Sequence, residues 1–379
     1  MASNTGIDTY IIKTVEWCNL NCTYCYFYNG QDTTFSGRPK FMSRKILSAM
    51  VPKIIAHCQK HNISEVHLVM HGGEPLLQSK DDYRFMVAEF DALNDHGINV
   101  VWKCTTNAVT LTEEWAKLLA DRQVHLGVSI DGTKDVHDSM RVDHAGRGSY
   151  DRVVKGLNTA LKWESEGLRV GTISVINPAE SGTETYRHLR SLGIRNINLV
   201  LPEANYVQPL PEDAPPGSHG ETLKQIFDAW VQEDNHQVNI GFFRDVIRAI
   251  SGLSAHSDQF GSAPVNVAVV ETDGSIQPTD NFRACADGMT DLGLDIFNHG
   301  FDDLLEHPFF AYCNQQQKFV PDECSGCKFL EICGGGRITN RYSADEGFSR
   351  KSVHCESLYS LFEHVDQTLG QHGLRREFA

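Results

Sequence analysis

The sequence has too little positive charge to be a general nucleic-acid or anionic-membrane binder. Its 34 Lys and Arg stand against 49 Asp and Glu, a formal net charge of −15, and such binders need clustered cations to displace counterions. The acid is spread along the chain and reads as a solvated surface. No run of about 18 apolar residues exists, so no segment is a candidate membrane span. The N-terminus lacks the basic, apolar, small-residue order of a secretory signal. Together these absences point to a reducing, cytoplasmic setting. There, eleven cysteines in clustered spacings read as metal ligands and not as disulfides. A length of 379 residues accommodates roughly two domains with a real core.

The first cluster is Cys-Asn-Leu-Asn-Cys-Thr-Tyr-Cys at residues 18–25. Cys18, Cys22 and Cys25 offer three soft thiolates in one short turn, a donor set suited to iron–sulfur iron. Three ligands leave one iron of a four-iron cube open to a small molecule, as a catalytic zinc keeps one position free. A zinc knuckle and a disulfide framework are the competing readings of the loop alone.

Residues 8–15 are β-branched and aromatic and read as a buried strand that delivers this loop. From Ser43 to His61 apolar positions recur at helical spacing, with Ser43 as N-cap, Pro52 as an expected kink and Cys58 as a buried thiol. A strand over 65–71 then ends in Gly72-Gly73-Glu74-Pro75. Glycines let a backbone approach closely, and the carboxylate can take an ammonium group. Further apolar runs at 98–105, 124–130, 168–175 and 194–201, each separated by room for a helix, make six βα units with parallel strands. Cys104 lies inside the third and reads as core. Polar residues gather at the C-terminal strand ends, where parallel barrels carry their chemistry: Thr106 and Asn107, then Ser129, Asp131 and Gly132, then Arg141. Residues 202–220 are dense in breakers and read as a linker or lid, followed by helices near 220–236 and 242–253.

Residues 265–279 read as a β-hairpin turning at Asp273-Gly274. Cys324, Cys327 and Cys333 follow, then Gly334-Gly335-Gly336 and Cys355. Four thiolates can close a metal site completely. A zinc ribbon would bring its cysteines as two close pairs, which Cys333 and Cys355 are not.

The cysteine loop, with Tyr24 before its last cysteine, and the GGEP turn about 50 residues on resemble the radical S-adenosylmethionine (radical SAM) superfamily. The C-terminal hairpin, C-x2-C-x5-C-G-G-G and late cysteine resemble its auxiliary-cluster (SPASM) domains. The resemblance implies an α/β fold, a partial (β/α)6 TIM-like barrel with a C-terminal auxiliary iron–sulfur domain. The domains would be a barrel over 1–203, linker and bridging helices over 204–259, and the auxiliary domain with its C-terminal helix over 260–379. It implies a [4Fe-4S] cluster on Cys18, Cys22 and Cys25 whose open iron binds S-adenosylmethionine. Tyr24, Gly72, Gly73, Glu74, Ser129, Arg141, Asn177 and Leu201 would surround that molecule, with Glu74 on its amino group and Ser129 and Arg141 on its carboxylate and ribose. One auxiliary [4Fe-4S] cluster would rest on Cys324, Cys327, Cys333 and Cys355. A second is expected to be lost or incomplete, because Thr279 and Arg337 stand where cysteines are usual; only Cys285 has a matching spacing, with Cys313 a second candidate.

Within that superfamily the segments Cys-Thr-Tyr-Cys-Tyr-Phe-Tyr-Asn-Gly, Arg-Pro-Lys-Phe-Met-Ser and Cys-Gly-Gly-Gly-Arg are most similar to maturases of ribosomally made peptides, in particular cyclophane-forming ones. The implied reaction abstracts a side-chain β-hydrogen from a precursor peptide and joins that carbon to an aromatic ring, with flavodoxin or ferredoxin as electron donor. An acid or base must take the proton lost as the ring rearomatises; Asp131, Asp280 and His71 are the candidates. Thioether formation, epimerisation and sulfatase-maturase-like formylglycine formation stay open, although enzymes of the last kind keep both auxiliary clusters. A binding protein with structural metal sites would close four ligands at every cluster, which the three-cysteine loop does not. Only 17 residues precede Cys18, so no separate N-terminal peptide-recognition domain is expected. Strand edges near the hairpin are the expected leader-peptide surface, by β-augmentation.

Overall fold

The computed structural model describes residues 6–255, 257–261, 264–314 and 319–371. Nine strands are present among them: β1 Thr9–Val15, β2 Glu65–Gly72, β3 Asn99–Thr106, β4 His125–Ser129, β5 Arg169–Val175, β6 Asn196–Val200, β7 Asn239–Ile240, β8 Val267–Val270 and β9 Ile276–Gln277. The first six lie where the apolar runs place them, with helices between, so the fold is α/β with parallel strands. No described helix is long and apolar enough to cross a membrane. The chain divides into two compact units, one from Met1–Ser129, Arg141–Val170 and Asn266–Asn314, the other from Ile130–Met140, Gly171–Val265 and Gln315–Ala379.

In the first unit the strand order is β4-β3-β2-β1-β8-β9. β1 runs parallel to β2, Tyr10 opposite Leu68, and β2 parallel to β3, Leu68 opposite Trp102. On its other edge β1 takes β8, also parallel, with Thr9 opposite Val267. Buried on both faces, β1 carries Tyr10, Ile12 and Val15 fully shielded from solvent, which is why its sequence reads as a continuous apolar run. The hairpin turns where Asp273-Gly274 requires, Gly274 having φ +90°.

The edge of β9 is not free for a leader strand. Ile276 N donates to Leu294 O at 2.8 Å and Ile296 N to Gly274 O at 2.9 Å, so residues 294–296 already occupy it and the expected augmentation there is corrected.

The helix Arg44–His61 begins with Ser43, whose side chain accepts from Ile46 N, and continues unbroken through Pro52. Its inner stripe includes Ile46, Met50, Ile54 and Cys58. His57, His61 and Asp302 bring potential ligand atoms within 4.8 Å of one another. His57 Nε2, however, accepts the Ile7 N–H at 2.8 Å, which leaves its proton on Nδ1, 2.9 Å from Asp302. The cluster is a hydrogen-bonded clasp between chain start, helix and Asp302.

In the second unit β5, β6 and β7 are parallel, Thr172 opposite Ile197 and Asn196 opposite Asn239. The helices Ser218–Glu233 and Gly241–Ile250 follow the loop after β6, and Cys355–Gln371 packs on the former. That approach needs Gly220, where a Cβ would come within 2.6 Å of Ser357 O. Phe362 fixes the C-terminal helix against Phe260 and Phe329, at ring separations of 5.3 and 5.8 Å.

Candidate active site and metal centres

The cysteine loop leaves the C-terminal end of β1 and is tied back to the end of β2. Gly73 N donates to Val15 O at 2.8 Å and Glu74 N to Trp17 O at 3.1 Å. A Cβ on Gly72 or Gly73 would lie 2.2 Å from Val15 O or Trp17 O. The close approach these glycines allow is thus, in the first place, of one backbone to another, immediately before Cys18.

Glu74 then turns its carboxylate inward, only 1% exposed. Oε1 accepts from Thr106 Oγ1 at 2.7 Å and Leu76 N at 3.0 Å, and Oε2 from Asn107 N at 2.7 Å. Burial raises its pKa while these donors pull it down. Among the described residues no cation is ion-paired with it. A shielded carboxylate hydrogen-bonded only to neutral donors, with the Arg141 charge lowering its pKa but not paired to it, is costly, and an arriving ammonium group would relieve that cost. The arrangement fits the amino group of S-adenosylmethionine.

Asn107 links Glu74 to the cluster loop, its Nδ2 lying 2.7 Å from Asn19 Oδ1 and 3.6 Å from Cys18 Sγ. The Cys18 thiol is pushed up to about 12 by burial and then by Glu74, with Cys22 and Cys25 adding to the rise. Burial also raises Cys25, which Arg141 and Lys13 draw down. A Cys18 thiol that feels both other sulfurs of the loop fits a shared cluster, whose binding would release the thiol protons. Arg141 is buried and donates from Nη1 to the Tyr24 hydroxyl. Ser149 Oγ donates to the Arg141 carbonyl at 2.7 Å. Ser129 ends β4, half-buried.

A second group sits one turn of chain earlier. Lys13, fully buried, donates from Nζ to Asp280 Oδ2 at 2.5 Å and stands 3.4 Å from His71 Nδ1. Burial alone would raise Asp280, but Lys13, His71 and Arg283 outweigh it and hold the carboxyl well below its usual range. Burial and Lys13 together lower His71 to about 4, so the imidazole is neutral at pH 7. Arg283, also fully buried, bonds Glu271 at 2.8 Å and pairs with Asp32. The Lys13 and Arg283 cations each lie 4.4 Å from the centre of the Phe27 ring. Beside them Arg38 Nη1 stands 3.7 Å from both Glu16 Oε1 and Glu271 Oε2. Burial and then Glu271 push Glu16 up to about 7.

Two of the three acid–base candidates, His71 and Asp280, therefore meet, and Lys13 joins them. A lysine in a strand that is otherwise apolar is the signal that could have found it, because lysine is almost never fully buried without a partner. The third candidate belongs to the other unit. There Asp131 Oδ1 accepts from Val175 N at 2.9 Å, and Asp131 N donates to His137 Nδ1 at 3.3 Å. Asn177, after β5, closes an Asx turn onto Ala179 N at 2.9 Å. Leu201, after β6, donates its N–H to Gln259 Oε1 at 2.8 Å, and Gln259 Nε2 returns to Leu199 O at 2.9 Å.

The second candidate metal centre lies wholly in the second unit. Cys324, Cys327, Cys333 and Cys355 line one cavity of about 130 Å³ with Tyr359 and Phe362. Cys333 is pushed up to about 12 by burial, with Cys355 and Cys324 adding to the rise and Arg341 opposing it. Four thiols around one cavity fit a closed cluster. The three glycines after Cys333 all have positive φ, 60°, 85° and 74°. Their carbonyls converge on fully buried Arg341, which donates to the oxygens of Gly334, Gly335 and Gly336 at 2.5, 3.0 and 2.8 Å. The triplet is a carbonyl cradle that holds a cation behind the cysteine.

Arg337 does not leave room for a further ligand at its position. Its guanidinium pairs with Glu203 and with Asp258 Oδ2, the latter at 2.8 Å, and Thr339 Oγ1 also donates to Glu203. Cys285 and Cys313 are buried in the first unit, where burial and then Cys313 raise Cys285.

Residues 12–198 match the Radical SAM superfamily. The chain is 24% identical over 360 residues to a cysteine-type anaerobic sulfatase-maturating enzyme of Clostridium novyi, covering 91% of each chain. It is 24% identical over 368 residues to a serine-type anaerobic sulfatase-maturating enzyme of Bacteroides thetaiotaomicron, covering 92% of this chain and 86% of that one. Among solved structures, native anSMEcpe with bound AdoMet superposes with a TM-score of 0.81 at 21% identity, over 96% of this chain and 98% of that one. Streptococcus suis SuiB bound to precursor peptide SuiA gives a TM-score of 0.61 at 14% identity, over 92% and 76%.

Proposed function

We propose that this enzyme, whose residues 12–198 belong to the radical SAM superfamily, abstracts a side-chain β-hydrogen from a ribosomal precursor peptide and crosslinks that carbon to an aromatic ring. The cluster and S-adenosylmethionine, when bound, supply the hydrogen-abstracting radical. The rest falls to the chain's own groups. Cys18, Cys22 and Cys25 would hold the cluster, and Glu74 would fix the amino group of S-adenosylmethionine, its carboxylate already oriented by Thr106 and Asn107. Arg141, braced by Tyr24, would serve the carboxylate and ribose with Ser129; Asn177 and Leu201 are the adenosine candidates.

Asp280 is our candidate for the proton acceptor. It is ionised, oriented by the Lys13 hydrogen bond and flanked by a neutral imidazole, so it can take a proton without first losing one. The exclusion of water by the surrounding burial suits radical chemistry.

One observation favours crosslinking over formylglycine formation: Arg337 is committed to Glu203 and Asp258 where enzymes with two auxiliary clusters place a cysteine. This supports a single auxiliary cluster. Formylglycine formation is the second reading, favoured by the sulfatase-maturating relatives.

Mass spectrometry decides between them, after anaerobic incubation of reconstituted enzyme with S-adenosylmethionine, dithionite and short peptides encoded beside the gene. A loss of two hydrogens mapped to an aromatic residue and a neighbour two positions along is the expected result. The same loss confined to one serine, exchange of a cysteine's thiol for a carbonyl oxygen with release of hydrogen sulfide, or solvent deuterium gained without mass loss in protium, would replace the crosslinking reading with oxidation or epimerisation.

A further inference from the structure

Between Asp32 and Glu65 the chain has no Asp or Glu and six Lys or Arg, although acids are half again as common as bases overall. We propose that the exposed residues of this segment, Lys40, Phe41, Ser43, Arg44 and Lys45, together with Trp17, are the docking surface for an acidic one-electron carrier of the flavodoxin kind. The inference rests on the reading of Cys18, Cys22 and Cys25 as a reducible iron–sulfur site.

The segment is laid against the strand that leads into that site. Phe41 forms an antiparallel bridge with Val15, Glu16 N donates to Lys40 O at 2.9 Å, and Met42 N to Thr14 O at 3.0 Å. Two large apolar rings at or near the bridge face solvent: Trp17 is 36% exposed and Phe41 47%. Lys40 Nζ stands 4.1 Å from the Trp17 ring centre and 5.7 Å from that of Phe41. Lys45 lies 4.7 Å from the ring of Phe297, itself 43% exposed. Lys40 and Lys45 thus face aromatic rings and keep their charge for a partner, whereas Arg44 is half engaged by Asp82 at 2.7 Å. Arg38 is turned inward to Glu16 and Glu271 and takes no part.

Aromatic rings set among unneutralised cations are the composition of a contact surface, and the sign of the charge selects the partner. A chain of net charge −15 repels an acidic carrier on the whole, so a face of unneutralised cations biases its encounters. Trp17 is peptide-bonded to Cys18, and its carbonyl holds Glu74 N at 3.1 Å, so its backbone is fixed to the site. In the step proposed, one electron crosses from carrier to cluster, oxidising the one and reducing the other, and no bond to the protein is made or broken.

The test compares reconstituted wild type with the Lys40→Glu/Lys45→Glu double variant. Titration calorimetry with flavodoxin at low ionic strength is expected to show affinity falling about tenfold or more, the difference shrinking as salt is added. Flavodoxin-driven formation of 5′-deoxyadenosine should fall with it, while dithionite-driven formation stays within about twofold of wild type. Lys117→Glu/Lys162→Glu, an equal change of net charge elsewhere, should leave carrier affinity nearly as it was. Equal flavodoxin affinity in wild type and K40E/K45E would overturn the docking surface. So would a selective rise in peptide KM under dithionite, which would assign the face to the substrate. A wild type that makes no 5′-deoxyadenosine even with dithionite would remove the radical SAM reading beneath it.

Discussion

Lys13 Nζ and Asp280 Oδ2 meet at 2.5 Å, joining the strand that delivers the cysteine loop to the short helix after β9. Neither side chain is more than 8% exposed. Removing one member of such a pair leaves an uncompensated buried charge. Lys13→Met is therefore expected to destabilise the fold by roughly 3–5 kcal/mol. Lys13→Met/Asp280→Asn should recover at least half of that, as read by a denaturation double-mutant cycle. Asp280→Asn alone should keep dithionite-driven 5′-deoxyadenosine formation and lose peptide product; full product formation would remove Asp280 as proton acceptor.

Glu74→Gln keeps the shape of the side chain and removes its charge. A hydrogen bond to a charged group contributes about 1.5–3 kcal/mol, so S-adenosylmethionine should bind roughly ten- to a hundredfold more weakly. The iron content and the 400 nm absorbance of the reconstituted protein should not change. Equilibrium dialysis with labelled ligand measures the first and iron assay the second.

Metal content tests the cysteine assignments. The reconstituted protein is expected to hold about eight irons, two four-iron clusters. Cys333→Ala should take that to about four, and Cys18→Ala should do the same at the other site. The Cys285→Ser/Cys313→Ser variant should leave the count at about eight. A drop in that last variant would show that these two buried thiols carry iron.

The pH dependence of stability draws on three buried, neutral histidines. Burial lowers His71, His219 and His354 each to about 4, against about 6.5 in an unfolded chain. A depressed histidine resists protonation in the fold, so the unfolded chain binds the extra protons. The histidines' contribution is then full above pH 6.5 and is lost as pH drops toward 4, by up to about 1.4 kcal/mol per pH unit for each proton. Glu16, whose raised carboxyl takes up its proton in the fold first, acts in the opposite sense over the same window. His219→Gln should make that slope shallower in urea titrations between pH 6.5 and 4.5; an unchanged slope would refute the assignment.

Much of this was legible in the chain itself. The Val, Ile and Leu runs located all six βα strands, because strands buried on both faces need apolar residues throughout. Ser43, Cys58 and Cys104 were readable from local pattern alone. What escaped are relationships between distant positions. Lys13 was hidden inside an apolar run, its partner 267 residues away. The occupied edge of β9 depends on residues 294–296, which have no strand pattern. The glycines after Cys333 signalled an unusual backbone, but not that Arg341 fills the cradle they make, since only the fold brings the guanidinium there.

The pairing of β8 with β1 sets a schedule for synthesis. β1 emerges from the ribosome first and can meet β2 early, yet its other edge is covered only when Val267–Val270 arrive. At about 5–20 residues per second that interval is on the order of tens of seconds. Throughout it a flat, apolar strand edge, with the Lys13 ammonium still lacking Asp280, is open to pairing with other chains. A slow, non-local closing step of this kind makes recovery of intact protein sensitive to translation rate and to chaperones that cover strand edges.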